Sequence, residues 1–190
     1  MKHLLSLILA LMAFGLQAAV PAQVTAVSAK VKSSPTLRVS CTLNGQAASL
    51  VMDQAGLFAM KMAADQASYD GKTQWTYVAK DKEVTLTNPT AQELAETNPL
   101  QILGKLDKLF QGTKLKDGRV RLTPLQKGSE IAEVTVKFDS KTGWPTDIRI
   151  VGANGSIDMK TLKFTVEKKR LPQSSYQFKA PKGTKVIDFR

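Results

Sequence analysis

The chain has 190 residues, with 27 Lys plus Arg against 16 Asp plus Glu and a net charge of +11 when its single histidine is neutral. That length suits one domain, and 43% hydrophobic residues exclude a wholly disordered chain. One cysteine rules out a disulfide framework and a cysteine-rich zinc site. The one histidine, His3, falls in an N-terminal leader, so the remainder has no Ser-His-Asp or Cys-His pair.

The leader comes first in chain order. Lys2 and His3 make a basic start, residues 4–14 are apolar except for Ser6, and Gly15-Leu16-Gln17-Ala18 supplies small residues for cleavage. This three-part pattern predicts a signal peptide over 1–18 and a single exported domain over 19–190. The apolar run is too short to span a bilayer, which takes about 20 residues. Removing 1–18 removes one charge, Lys2, and leaves 172 residues at +10.

Val20, Val24, Val27 and Val31 then recur at helical spacing behind Pro21, with a strand as the alternative because valine is a poor helix former. Ser33-Ser34-Pro35 ends that segment. Leu37, Val39, Cys41 and Leu43 alternate with polar residues, and Asn44-Gly45 is a strong hairpin signal. Cys41, on the apolar side, reads as a buried, inert core thiol. Leu50 and Met52 follow, then Phe58, Met60 and Met62 on one face with Lys61 on the other. Trp75 and Tyr77 come after the turn Asp70-Gly71, and Val84 and Leu86 alternate after them.

The period then changes. Thr90-Ala91-Gln92-Glu93 is a capping box, and Asn98-Pro99 opens a second predicted helix with Asn98 as its cap. Leu100, Leu103, Leu106 and Phe110 form its stripe, widened by Ile102 and Leu109, and Gln111-Gly112 stops it. Strands resume at Val120/Leu122, Ala132 to Phe138 and Ile148/Ile150. Ile157 and Met159 have the opposite parity to Leu162, Phe164 and Val166, which predicts a bulge near Lys160-Thr161. Tyr176/Phe178 and Ile187/Phe189 complete about eleven short strands.

Apolar-in, polar-out alternation predicts an antiparallel sheet with one wet face. Such a sheet buries its apolar face only by curling or by accepting a helix, and the 100–110 stripe is the natural plug. The strands are nearer 5–8 residues than the roughly 9–11 of a membrane barrel. No carboxylate pair, phosphate loop or metal cluster stands out, so neither an enzyme nor a cofactor is expected. Residues 113–190 hold 17 Lys plus Arg and 8 Asp plus Glu. Nucleic acid is no expected partner of an exported chain, and the excess reads either as the solvated face of a basic protein or as a weak attraction to an anionic membrane surface or an acidic protein patch. By residue type alone, the large apolar residues describe an ordinary core.

Four stretches resemble the outer-membrane lipoprotein carrier protein (LolA-like) family. They are GLFAMKMAADQASYDGKTQWTYVAKDKEVTL at 56–86, NPLQIL at 98–103, FDSKTGWPTDIRI at 138–150 and YQFKAPKGTKVIDFR at 176–190. The resemblance implies a mainly β (α+β) fold, an unclosed antiparallel β-barrel of about eleven strands with a helical lid. It also implies a monomeric periplasmic carrier of acylated lipoproteins, loaded by an inner-membrane lipoprotein-releasing transporter and unloaded to an outer-membrane acceptor. The alternative on the same fold is a non-carrier periplasmic binding or envelope-sensing module. On this basis Phe58, Met60, Met62, Trp75, Tyr77 and Leu86 are expected in the wall of a lipid cavity, and Leu100, Leu103, Leu106 and Phe110 in the lid. Lys61 stands near where the family often has an arginine that contacts the lid, and a lysine cannot make the same planar multi-donor contact.

Overall fold

Positive φ at Asn44 (49°) and Gly45 (84°) folds β1 (Thr36–Leu43) back onto β2 (Gln46–Asp53) in the tight turn that the Asn-Gly pair favours. Antiparallel pairing continues through β3 (Phe58–Met62), β4 (Asp65–Tyr69), β5 (Gln74–Val78) and β6 (Glu83–Thr87). The later strands are β7 (Phe110–Lys114), β8 (Val120–Pro124), β9 (Ile131–Phe138), β10 (Pro145–Gly152), β11 (Gly155–Glu167) and β12 (Lys185–Asp188). The computed structural model describes residues 20–98, 103–153 and 155–190, so the predicted signal peptide lies outside the described residues.

All twelve strands form one open sheet in the order β12-β6-β5-β4-β3-β2-β1-β11-β10-β9-β8-β7. The chain closes the middle of the sheet by pairing β1 with β11, and leaves β12 and β7 as edges. The expected unclosed sheet is present, with three differences in detail. Residues 110–114 form strand β7 where the sequence predicted the end of a helix, and β12 runs parallel to β6. Tyr176 also belongs to a single 3-10 turn (Gln173–Tyr176) and not to a strand.

The bulge predicted near Lys160-Thr161 is present. Ser40 pairs with Lys163 and Thr42 with Lys160, so two residues, Thr161 and Leu162, stand opposite Cys41. Thr161 takes φ 54°, uncommon for a β-branched residue. The shift brings Leu162 and Phe164 onto the same face as Met159, where period-two alternation alone would separate them.

Helix α1 (Ala22–Ser33) buries Val24, Val27 and Val31 against that face. Valine has poor intrinsic propensity, so burial and not preference holds the helix. Helix α2 (Ala91–Thr97) starts with the expected capping box: Thr90 Oγ1 accepts from Glu93 N–H, and the Glu93 carboxylate accepts from Thr90 N–H. That bonding, the backbone N–H first, holds the Glu93 carboxyl below its usual range. Asn98 caps the end of α2, and its side-chain amide donates to the Gly56 carbonyl at 2.6 Å. The start of the helix expected after it lies outside the described residues, and Leu103 is helical. One turn, α3 (Leu106–Leu109), then leads directly into β7.

β7 is a strand because Gly112 pairs with Leu122, and the missing side chain admits the start of α1. A Cβ on Gly112 would stand 2.3 Å from Cδ of Pro21 and 3.0 Å from Cδ2 of Leu122. Gly112→Ala is therefore expected to destabilise the fold by about 1–3 kcal/mol, the range for overpacking a filled site. Urea unfolding checks this, and an unchanged midpoint would show that Pro21 does not rest there.

Candidate functional site: an apolar cavity

Residues opposed across a ladder share a face. The pairings therefore align Leu37, Met52, Phe58 and Tyr69 in one row, and Val39, Leu50, Met60 and Ala67 in the next. From the other side of the sheet, Met159 and Ile148 meet Val136 in the same manner. These rows make the concave face. Between them and α1 lies an apolar cavity of about 130 Å³. Val24, Val27 and Val31 roof it, Val39, Cys41, Met60 and Met62 wall one side, and Val136, Ile148, Met159 and Phe164 wall the other. Leu103 and Leu106 close it.

The structure divides the predicted site residues into three sets. Met60, Met62, Leu103 and Leu106 line the cavity. Phe58 is buried beside it, its ring 6.3 Å from that of Tyr69, and Phe110 is buried with Val24, Val120 and Leu122. Trp75, Tyr77 and Leu86 stand on the opposite face of the sheet. Ser68 alternates with Ala67 and Tyr69 and therefore points away from the cavity, and it is Ser68 that pairs with Trp75. Tyr77 stacks on Phe178 at 5.1 Å in a separate cluster with Val84 and Leu86. Lys61 is exposed on that same outer face, away from Leu103 and Leu106. Leu100 lies outside the described residues.

Sequence reasoning overlooked the roof and the far wall. The valine stripe of α1 was legible as a helix, but not its position over the sheet. The parity break before Leu162 was the signal for the far wall, since a bulge is needed only where two sets of apolar residues must share a face.

Polar ties hold the roof in place. Ser28 Oγ donates to the Leu103 carbonyl at 3.1 Å, linking α1 to the closing segment. Lys30 Nζ donates to the Thr142 carbonyl at 2.5 Å and sits 5.2 Å from the centre of the Trp144 ring, a cation–π contact. Trp144 stacks on Phe164 at 4.5 Å with the ring planes 4° apart. These contacts couple α1 to the β9–β10 turn.

Cys41 is the titratable group in the wall, and burial pushes its thiol above the ordinary range. Among the described residues no cluster of His, Cys, Asp and Glu is able to hold a metal ion. The geometry suits containment of an apolar group. Cys41 is expected to react slowly with a maleimide at neutral pH, because thiolate is the nucleophile, and faster as pH rises past the ordinary thiol value. Timed alkylation read by mass spectrometry checks this, and alkylation at the rate of a free cysteine would place the thiol outside the cavity.

An open antiparallel sheet curled about an apolar cavity, with a short helix and a helical turn across it, defines a lipoprotein-carrier-like fold. The chain belongs to the family described as outer membrane lipoprotein carrier protein LolA, which matches residues 19–155. An uncharacterised conserved protein from Thermus thermophilus has a similar structure, with TM-score 0.55 at 13% identity over 88% of this chain and 98% of that one. A LolA superfamily protein from Nitrosomonas europaea aligns with TM-score 0.40 at 8% identity, over 82% of this chain and 96% of that one. An outer membrane lipoprotein-sorting protein domain from Vibrio parahaemolyticus gives 0.38 at 11%, over 82% and 95%. No curated protein matches the sequence.

Proposed function

We propose that this protein is a periplasmic binding module that takes an acyl chain of a lipidated protein into the cavity beneath α1. The observation that supports this is the cavity itself, whose exposed lining is almost wholly carbon and sulfur. Each methylene moved out of water is worth about 0.8 kcal/mol, so a chain of some sixteen carbons left in water costs on the order of 12 kcal/mol. Binding alone does this work, with no catalytic step and no cofactor. No helix among the described residues is long and apolar enough to cross a membrane, in keeping with a protein that meets its ligand from the aqueous side.

Two roles use such binding. A carrier accepts the chain from an inner-membrane transporter and yields it to an outer-membrane acceptor, and a sensing module binds it without delivery. The small volume favours the second role for this conformation. An engineered cavity of about 150 Å³ holds a benzene molecule, so 130 Å³ admits one end of a chain and not the whole of it. Depletion of the protein separates the roles: lipoproteins leave the outer membrane if it is a carrier and stay there if it is a sensor.

The cavity assignment has its own test. Leu106→Glu places a carboxylate in the cavity wall and is expected to weaken binding of a fluorescent fatty acid by about tenfold or more, since burying an unpaired charge costs well over the roughly 1.4 kcal/mol that tenfold represents. Trp75→Ala, on the outer face, is expected to lower the melting temperature and leave that affinity unchanged. The reverse pattern would move the binding surface to the outer face and sink the cavity reading.

A further inference from the structure

Eight large apolar side chains are exposed among the described residues. Val166 lies at the other end of β11, and Val186 and Phe189 lie on or beside the edge strand β12. The other five, Met62, Leu109, Leu125, Val151 and Ile157, are each 36% to 42% exposed. The ladder pairings bring all five to the same end of the sheet. Met62 pairs with Ala48 near the β1–β2 turn, and Leu43 at that turn pairs with Met159, two residues past Ile157. Ile157 pairs with Ile150, next to Val151, and Gly152 pairs with Ile131 at the start of β9. Leu125 lies just beyond the Phe110–Pro124 pair, and its N–H donates to the Leu109 carbonyl at 3.0 Å. The cavity reaches this rim, because Met62 and Leu43 line it and Leu106 of α3 sits one turn from Leu109.

The charge at the same rim is positive. Lys105 caps the start of α3 and Lys108 lies in it, Lys127 follows Leu125 and Lys160 precedes the bulge, all exposed. All six arginines are paired with carboxylates, so the unpaired positive charge of this chain is carried by lysine. Four acids stand near the rim. Asp107 lies within α3 and is half-buried, Asp158 is taken by Arg149, Asp65 accepts from the Ala79 N–H, and Glu130 is exposed. Lysine is a strongly hydrated point charge that suits a diffuse anionic surface more than a shaped carboxylate pocket.

We propose that this rim docks on a bilayer surface containing anionic lipid, with the leucines at the headgroup boundary and the cavity mouth facing the membrane. The proposal rests on the acyl-binding reading and adds the partner of the site. A chain leaving the bilayer would then enter the cavity past Leu109 and Leu106 without crossing water.

The test is co-sedimentation of the full chain with phosphatidylcholine vesicles, with and without phosphatidylglycerol. Binding is expected only where phosphatidylglycerol is present, and is expected to weaken as ionic strength rises. A juxtamembrane lysine contributes about a fivefold factor, so K105Q/K108Q/K127Q is expected to lose on the order of a hundredfold. K163Q/K168Q/K169Q removes the same charge further from the rim, and is expected to lose far less. L109S/L125S, at exposed positions, is expected to weaken binding with its melting temperature unchanged. Equal loss from both lysine triples, no effect of the leucine pair, or no vesicle binding at all would each overturn the docking surface. Fatty-acid binding measured in parallel keeps the readings apart. Intact acyl binding without vesicle binding overturns docking alone, and vesicle binding without acyl binding upholds the rim and removes the acyl reading beneath it.

Discussion

The structure depends on a layer that is not filled. A helix lies across the concave face of an open sheet and reaches toward it with valines, which are too short to meet the opposite wall. Ala48 and Cys41 on the sheet side are also small. A void of 130 Å³ costs about 3 kcal/mol at roughly 24 cal/mol per Å³. Longer side chains at positions 24, 27 and 31 would remove that cost and the cavity with it. A domain of this size has only about 5–15 kcal/mol of net stability, so the void is a large concession, offset by the extended sheet and by α1's ties to Leu103 and to the β9–β10 turn.

The sheet carries that concession because its apolar surface changes sides. From β1 to β4 the concave face is apolar. At β5 and β6 that face carries Gln74, Thr76, Thr85 and Thr87, and the apolar residues move outward to meet Phe178. The outer face is then anchored by buried polar contacts. The Asp53 carboxylate, fully buried, accepts from the Ala55 and Leu57 N–H groups and from Arg170. Asp70 accepts from Lys72 and Thr73 N–H groups and from the Gln177 side chain. Tyr176, buried beneath the C-terminal segment, has its hydroxyl pushed up by burial. The C-terminal segment from Tyr176 onward thus binds the outer face and adds β12 to the edge, leaving the cavity side free of that burden.

Local chemistry was legible wherever one residue type decides the backbone. Asn44-Gly45, the Thr90–Glu93 box and the parity break at Lys160-Thr161 each have one good solution, and the sequence shows it. The alternation at Phe58, Met60 and Met62 likewise put Lys61 outside. What alternation does not reveal is which face of each strand points inward. Trp75, Tyr77 and Leu86 alternate as cleanly as Met60 and Met62, and only the register through Ser68 shows that they face the other way. Phe110 was misjudged for a similar reason. It falls on the stripe of Leu103 and Leu106, but Gly112 is required by Pro21 and Leu122, and that tertiary demand turns the segment into a strand. The parallel β12 carried no sequence signal, since a four-residue strand looks the same in either direction.

The small cavity also sets how tightly a chain is held. A chain longer than the void needs α1 or the Leu103–Leu109 segment to move outward. The polar ties that resist this are a hydroxyl bond from Ser28 at about 1 kcal/mol, the bonds from Lys30 to the Thr142 carbonyl and from Gln54 to the Lys32 carbonyl, and the Lys30 contact to Trp144 at about 0.5–1 kcal/mol. The valines that leave the void also leave the cavity when the helix shifts, at about 1.5–3 kcal/mol for each one exposed. An acyl chain recovers more than that as its methylenes leave water. Admission therefore proceeds while the chain is exposed to water. It reverses once a bilayer or an acceptor offers the chain an equally dry place, because α1 then regains its own contacts. Short roof side chains and weak polar ties give containment that a competing apolar surface can undo, whether the protein delivers its ligand or only detects it.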